Sequence, residues 1–296
     1  AELFGPADKY FTPFLSPNAT CTFQRKELDE IDPEHNRGLN VVPQLLTNRA
    51  EHFLWAVREL HDRGFREVNF NLGCPAGTVA AKRKGAGLLA YPQELDRCLE
   101  EIFAGLPRGM TVSVKTRIGK NDPGEWPGLL EIYRRYPLAE LIVHPRLQKE
   151  FYKGTPHREA FSTVSGPWPV VYNGDIWTAE DAAALSRDFP GTDAVMLGRG
   201  LMRDPSLLRR LRGGPAASVR EVRTYHDRLL DAYRQRLSGD LPVMHRMWEL
   251  WTYLAAGFDG AEPYLKRMRK AKNLSEYQAA VDALLREQPL VYSKEG

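Results

Sequence analysis

Cys74 is one of three cysteines, with Cys21 and Cys98, in a chain of 296 residues. A free cysteine is most often a small buried apolar side chain. The setting of Cys74 is unusual, because "NFNLGCPAGTVAAKRKGAGLL" (69–89) runs from a short apolar segment into a basic, glycine-rich loop. The odd count and the lack of paired spacing argue against a disulfide framework and against a cysteine-rich metal site, so no metal is expected. A second set of residues shares one trait. Gln44, Asn71, Lys115, His144, Asn173 and Arg199 each fall at or just past the C-terminal end of a run that reads as a β-strand. His144 and Arg146, in "VHPR", suit a substrate or a phosphate. The glycines of "YNGD" (172–175) and "MLGRG" (196–200) let backbone N–H groups approach an anion, and Arg199 adds charge-assisted bonds.

The elements that must position these residues are legible. Strand-like runs occur at 9–15, 40–46, 67–73, 111–117, 140–146, 169–175 and 193–200. Helix-like stretches at 49–63, 92–106, 128–136 and 178–188 lie between them, the last with Thr178 as N-cap. This alternation means βα units and a parallel sheet. The expected fold is an α/β TIM (β/α)8 barrel, whose first strand would precede this numbering, since "AELFGPADKYF" reads as the end of a helix and a turn. In a barrel the C-terminal strand ends converge on one mouth, where active sites lie. Lys115 alternates with apolar residues in "VSVKTR", and a lysine there must reach a partner because its charge is costly to bury alone. It suits stabilising negative charge on a reduced flavin ring, pairing with a carboxylate, or forming a Schiff base.

After "GGP" (213–215) the periodicity becomes helical, over 217–237, 243–256, 261–271 and 275–286. The expected organisation is a catalytic barrel over 1–214 and an all-helical domain over 215–296. The net charge of +3 permits nucleic acid as a partner without requiring it. Two basic clusters stand out: Arg199, Arg203, Arg209, Arg210 and Arg212, and "KRMRKAK", which holds Lys266, Arg267, Arg269, Lys270 and Lys272. No apolar run is long enough to span a membrane and no signal peptide is visible, so a cytoplasmic protein without a membrane partner is expected.

Taken together, "NFNLGCPAGTVAAKRKGAGLL", "SVKTRIG", "LIVHPR", "VYNGDIW" and "AVMLGRGLMRDP" resemble the motif set of the bacterial-type tRNA-dihydrouridine synthases, over nearly the whole chain. The resemblance implies FMN in a TIM barrel, NADPH (or NADH) as reductant, and tRNA uridines reduced to 5,6-dihydrouridine. It makes Cys74 the catalytic residue. Gln44, Lys115 and His144 match residues at the isoalloxazine ring. Asn173, Gly174 and Asp175 match one part of the FMN phosphate and ribityl site, and Gly198 with Arg199 the other. Asn71 matches an asparagine near flavin and uracil, and Arg146 an arginine near the phosphate or the substrate. Arg246 and Tyr253, in "MHRMWELWTYL" (244–254), match the helical domain's signature. The chain departs from the family at Pro13, where an acidic residue is common, at Pro145 in place of glycine, and at Trp248 in place of a basic residue. It has no counterpart of the family's first-strand "APM" motif. These departures leave open which tRNA position is modified.

Reducing uracil adds two hydrogens across C5=C6. With hydride reaching C6 from flavin N5, a general acid must protonate C5 from the opposite side. Cys74 is the candidate, since an ordinary thiol is mostly protonated at neutral pH. Lys82, Arg83 and Lys84 mark the loop after Cys74 as a basic, glycine-hinged lid that places the thiol when tRNA docks. The tRNA body would lie on the basic clusters, Lys266, Arg267, Arg269 and Lys270 above all, with Arg246 beside them. Two rivals remain: a flavin barrel acting on a small pyrimidine or enone, and an inactive RNA-binding barrel. A monomer is the family expectation.

Overall fold

Eight parallel strand segments follow one another in chain order: β1 (Tyr10–Phe11), β2 (Val41–Val42), β3 (Gln44–Leu45), β4 (Glu67–Leu72), β5 (Thr111–Gly119), β6 (Leu141–Leu147), β7 (Val170–Asn173) and β8 (Ala194–Met196). The structure, a computed structural model, describes residues 1–292. β1 pairs with β2, and β3 to β8 pair in succession. A bridge between Leu15 and Leu45 carries β1 onward beside β3, so the eight segments fill seven strand positions. Among the described residues β8 and β1 share no backbone ladder, so the expected closed barrel is not seen.

The sheet is nevertheless strongly curled. A flat sheet would hold β1 and the start of β6 about 19 Å apart, four strand spacings. Lys9, just before β1, donates to Glu67 at 2.9 Å and to Glu140 at 3.1 Å. Glu67 opens β4 and Glu140 immediately precedes β6. One ammonium can reach both carboxylates only if the strand starts bend round toward each other.

The outer face of the sheet is apolar, with Phe70, Leu72, Val112, Val114, Leu141 and Val143 buried. Helices Ala50–Asp62, Pro92–Gly105 and Trp126–Arg134 connect the strands and bury Phe53, Val57 and Leu60, Leu95, Leu99 and Ile102, and Leu129, Leu130 and Tyr133. That spacing of three and four residues makes one apolar stripe per helix. Helix Ala179–Asp188 begins as expected, with Thr178 Oγ1 accepting from Asp181 N at 3.1 Å. Helix Arg25–Glu30 and the short helix Gly77–Ala80 lie in stretches without a helical signal in the sequence.

The compact units are drawn differently from a cut at 214/215. One comprises residues 8–174 and 189–196, and the other residues 1–7, 175–188 and 197 onward. The reason lies in packing within the second unit. Phe4 sits edge-on to Tyr225, Ser206 Oγ accepts from Ala217 N, and Arg203 donates to Ala256 O. Helices Val219–Arg236, Asp240–Leu254, Glu262–Lys270 and Leu274–Glu287 supply its core, which includes Met247, Trp251, Tyr277 and Val281. Ser218 and Asn273 cap the first and last of these helices.

Candidate active site

Register places the candidate residues of the sheet on one face. Gln44 pairs with Asn69, Asn69 with Ser113, Asn71 with Lys115, and Arg117 with His144. Partners in a parallel ladder share a face, and side chains alternate along a strand. The side opposite the apolar helices therefore carries amides, hydroxyls and cations. A register shift between Arg117 and Gly119 inserts an extra residue into β6 opposite β5. Pro145 stands there, where its missing N–H costs no ladder bond.

The amides form a directed chain. Asn71 donates to Gln44 Oε1 at 2.6 Å, Gln44 to Asn69 Oδ1 at 2.9 Å, and Asn69 to Ser113 Oγ at 3.0 Å. Asn71 Oδ1 also accepts from Gly73 N at 3.0 Å and Cys74 N at 2.9 Å. Asn71 thus ties the strand interior to the turn that carries the thiol. Cys74 is half-buried, and its sulfur has no hydrogen-bond partner among the described residues. Gly85 packs against it. A Cβ on Gly85 would lie 2.9 Å from Cys74 Cβ, and the backbone there has φ +54°. A Cβ on Gly87 would lie 2.5 Å from Ala80 O. These glycines allow close packing of the loop on the Cys74 turn, where the sequence suggested a hinge. Arg83 pairs with Glu94 at 2.7 Å and stacks on Tyr91, while Lys82 is exposed. Burial, with Lys82 nearby, lowers the Lys84 pKa.

Three cations and a histidine extend from β5 and β6. The Lys115 ammonium has no hydrogen-bond or ion-pair partner among the described residues, and its Nζ would lie 3.7 Å from a Cβ on Gly73. Burial, reinforced by Arg117, pulls its pKa down to about 8. Arg117 is fully buried and donates to Gly73 O at 3.0 Å and Leu147 O at 2.8 Å, with the exposed Tyr152 ring over its guanidinium. Burial lowers the Arg117 pKa to about 10. Arg146 donates to the carbonyls of Lys153 and Gly154, and its Nη1 lies 3.2 Å from His144 Nε2. A guanidinium can only donate, so His144 Nε2 accepts and its proton sits on Nδ1. Arg146 thus serves His144 and two carbonyls. Gly174, at φ +139°, lets His144 approach; a Cβ there would sit 3.0 Å from the ring. Asn173 donates to Met196 O at 2.8 Å.

The remaining candidates belong to the helical unit. Arg199 donates to Asp175 at 2.8 Å and lies over Trp177. Asp175 takes φ +40°, rare for a non-glycine residue. Gly198 precedes the helix Arg199–Arg203. The first basic cluster is engaged internally. Arg209 holds Glu221 at 2.6 Å, Arg210 holds Asp204 at 2.9 Å, Arg212 donates to Pro6 O, and Arg203 to Ala256 O. Lys266, Arg267, Arg269, Lys270 and Lys272 are all exposed, because Tyr264 and Met268 are the residues that helix Glu262–Lys270 buries. Arg246 is exposed and pairs with Glu249, Trp251 is core, and Trp248 donates to Met268 O.

Sequence reasoning missed Asn69, Gln148 and Tyr152 as parts of this site and did not single out Arg117. Period-two alternation from Asn71 and Lys115 reaches Asn69 and Arg117, whereas nothing local marks Gln148.

The profile of the Dihydrouridine synthase (Dus) family matches residues 2–289. The "Probable tRNA-dihydrouridine synthase" of Staphylococcus aureus (strain Mu50) is 25% identical over 93% of this chain and 84% of its own length. The protein so named in Staphylococcus epidermidis (strain ATCC 35984) is 26% identical over 93% and 85%. The "Probable tRNA-dihydrouridine synthase 2" of Bacillus subtilis (strain 168) is 25% identical over 94% and 86%. With almost its whole length matched, the chain belongs to the dihydrouridine synthase family.

Proposed function

We propose that this protein is an FMN-dependent tRNA-dihydrouridine synthase of the (β/α)8 type, with NADPH as its reductant. One observation carries the reading. A thiol and an ammonium, Cys74 and Lys115, have no hydrogen-bond partner among the described residues and lie beside a polar, hydrogen-bonded face in an otherwise apolar sheet. An ammonium whose pKa is lowered by burial favours an electron-rich neighbour. FMN fits this donor set. Lys115, His144 and the Gln44 amide would line its ring, and FMN supplies hydride to uracil C6 when bound and reduced.

The chain's own residues then handle charge and protons. Lys115 stabilises negative charge that develops beside it. Cys74 Sγ gives its proton to uracil C5, and the Asn71 carbonyl holds the Cys74 N–H so that the thiol keeps its place. Asn71 retains a second amide hydrogen for the uracil. The target uridine must leave its stack to reach such a group. The exposed side chains of Lys266, Arg267, Arg269 and Lys270, with Lys82 and Lys84, supply the phosphate contacts that hold the tRNA body. The engaged first cluster supplies stability instead.

The test is direct. The purified protein, given FMN, NADPH and an unmodified tRNA transcript, should yield dihydrouridine in a nucleoside digest. It should also carry the flavin absorbance near ~450 nm. Reduction of a small enone with no product in tRNA would favour the small-substrate reading. Absence of both bound FMN and product would favour an inactive RNA-binding protein.

A further inference from the structure

We propose that Gln148 is a positioning residue for the Cys74 thiol, an inference that rests on the reading of Cys74 as the proton donor. Every peptide group around Cys74 is held by a partner from elsewhere in the chain. Gly73 O accepts from Arg117 Nε at 3.0 Å, Cys74 N donates to Asn71 Oδ1 at 2.9 Å, and Cys74 O accepts from Ala86 N at 3.1 Å. The last hold is on Pro75. Its carbonyl accepts from Gln148 Nε2 at 2.7 Å, across 73 residues of chain.

Pro75 fixes its own φ, so the freedom left to the Cys74 turn is mainly the tilt of the Pro75 peptide. Gln148 sets that tilt. Its side chain is buried, at 9% exposure, and it follows β6 directly after Leu147, whose carbonyl takes the Arg117 guanidinium. Arg117 and Gln148 together brace the thiol turn against the strand that carries His144. Gln148 does not act on the substrate. It acts through Pro75, keeping the sulfur at the distance that proton transfer needs, where a displacement of about 1 Å can cost ~10²-fold in rate.

Two variants test this in the holoenzyme with tRNA. Gln148→Ala removes the donor. Gln148→Glu keeps the shape, but its carboxylate faces a carbonyl oxygen and cannot donate until protonated. Both should lower kcat for uridine reduction about ten-fold at neutral pH while KM for tRNA and the rate of flavin reduction by NADPH stay within about two-fold. The Glu variant, compared with wild type at each pH, should recover toward about pH 5, and the Ala variant should not. Independently of turnover, alkylation of Cys74 by iodoacetamide, followed by mass spectrometry against the exposed Cys21, should change several-fold in both variants. Wild-type kcat in both variants would overturn the proposal. So would a loss of kcat with unchanged Cys74 alkylation and no recovery of the Glu variant at low pH, which marks a merely structural role. Failure of the underlying reading looks different: wild-type protein with bound FMN would then form no dihydrouridine, whatever the alkylation rates show.

Discussion

Replacing Lys115 with methionine should make the protein more stable and less active. The ammonium sits on the polar face of the sheet without a hydrogen-bond or ion-pair partner among the described residues, and its pKa falls from 10.5 to about 8, chiefly through burial. A lysine with a lowered folded-state pKa binds protons less well folded than unfolded. Its cost is full below the folded value and fades as pH rises toward the unfolded one. At about 1.36 kcal/mol per pH unit the shift corresponds to ~3 kcal/mol, and partial access to water reduces this to ~2 kcal/mol. Methionine has similar length and no charge, so Lys115→Met should gain that amount at about pH 7 in urea unfolding of the FMN-free protein. For a unit of this size the same gain raises Tm by roughly 4–8 °C. Near pH ~9.5 the gain should shrink to about half, because the wild-type lysine is then largely neutral when folded. FMN affinity should fall in the same variant, the exchange of stability for function expected where a charge is kept for a ligand. A variant that is no more stable at neutral pH, or whose gain is the same at both pH values, would refute the reasoning.

Other predictions follow from the same geometry. Lys9→Met should cost about 2 kcal/mol at neutral pH, because it leaves Glu67 and Glu140 facing each other with most of their surface buried. Burial raises the Glu140 pKa despite Lys9. A carboxyl with a raised folded-state pKa takes up its proton more readily folded, so the deficit should narrow in urea titrations between about pH 7 and about pH 5. Changing Lys266, Arg267, Arg269 and Lys270 to alanine should weaken tRNA binding and lower the salt-dependence slope by about 2–3, measured by filter binding across salt concentrations. Arg209→Ala should instead lower thermal stability, since it strips Glu221 of the hydrogen-bonded guanidinium that chiefly holds its carboxyl down at about 2. Gly85→Ala should destabilise by about 2 kcal/mol in urea, from backbone strain and the clash with Cys74.

Local pattern was enough for the strands and the long helices, though not for the short helices Arg25–Glu30 and Gly77–Ala80. "TVSVKTR" alternates so cleanly that its polar face, Ser113, Lys115 and Arg117, can be read without a structure. The helix at 92–106 is placed to within a residue by Pro92 and its apolar stripe. Contacts between distant residues were not legible. The two arginine- and lysine-rich clusters look alike as sequence, and only the fold brings Glu221, Asp204 and the Pro6 carbonyl to one of them. The glycines after Cys74 read as a hinge because composition cannot tell freedom from close packing. Their neighbours, Cys74 and Ala80, show the latter. Gln148 was invisible for the same reason, its partner lying on another strand's loop.

The central claim is that the Cys74 thiol protonates uracil C5, and the Cys74→Ala variant tests it most directly. Single-turnover reduction of an unmodified tRNA transcript, followed by nucleoside mass spectrometry, should slow by about 10²–10⁴-fold in Cys74→Ala. Its FMN content, tRNA affinity and rate of flavin reduction by NADPH should match wild type. Dihydrouridine formed at close to the wild-type rate by that variant would contradict the account.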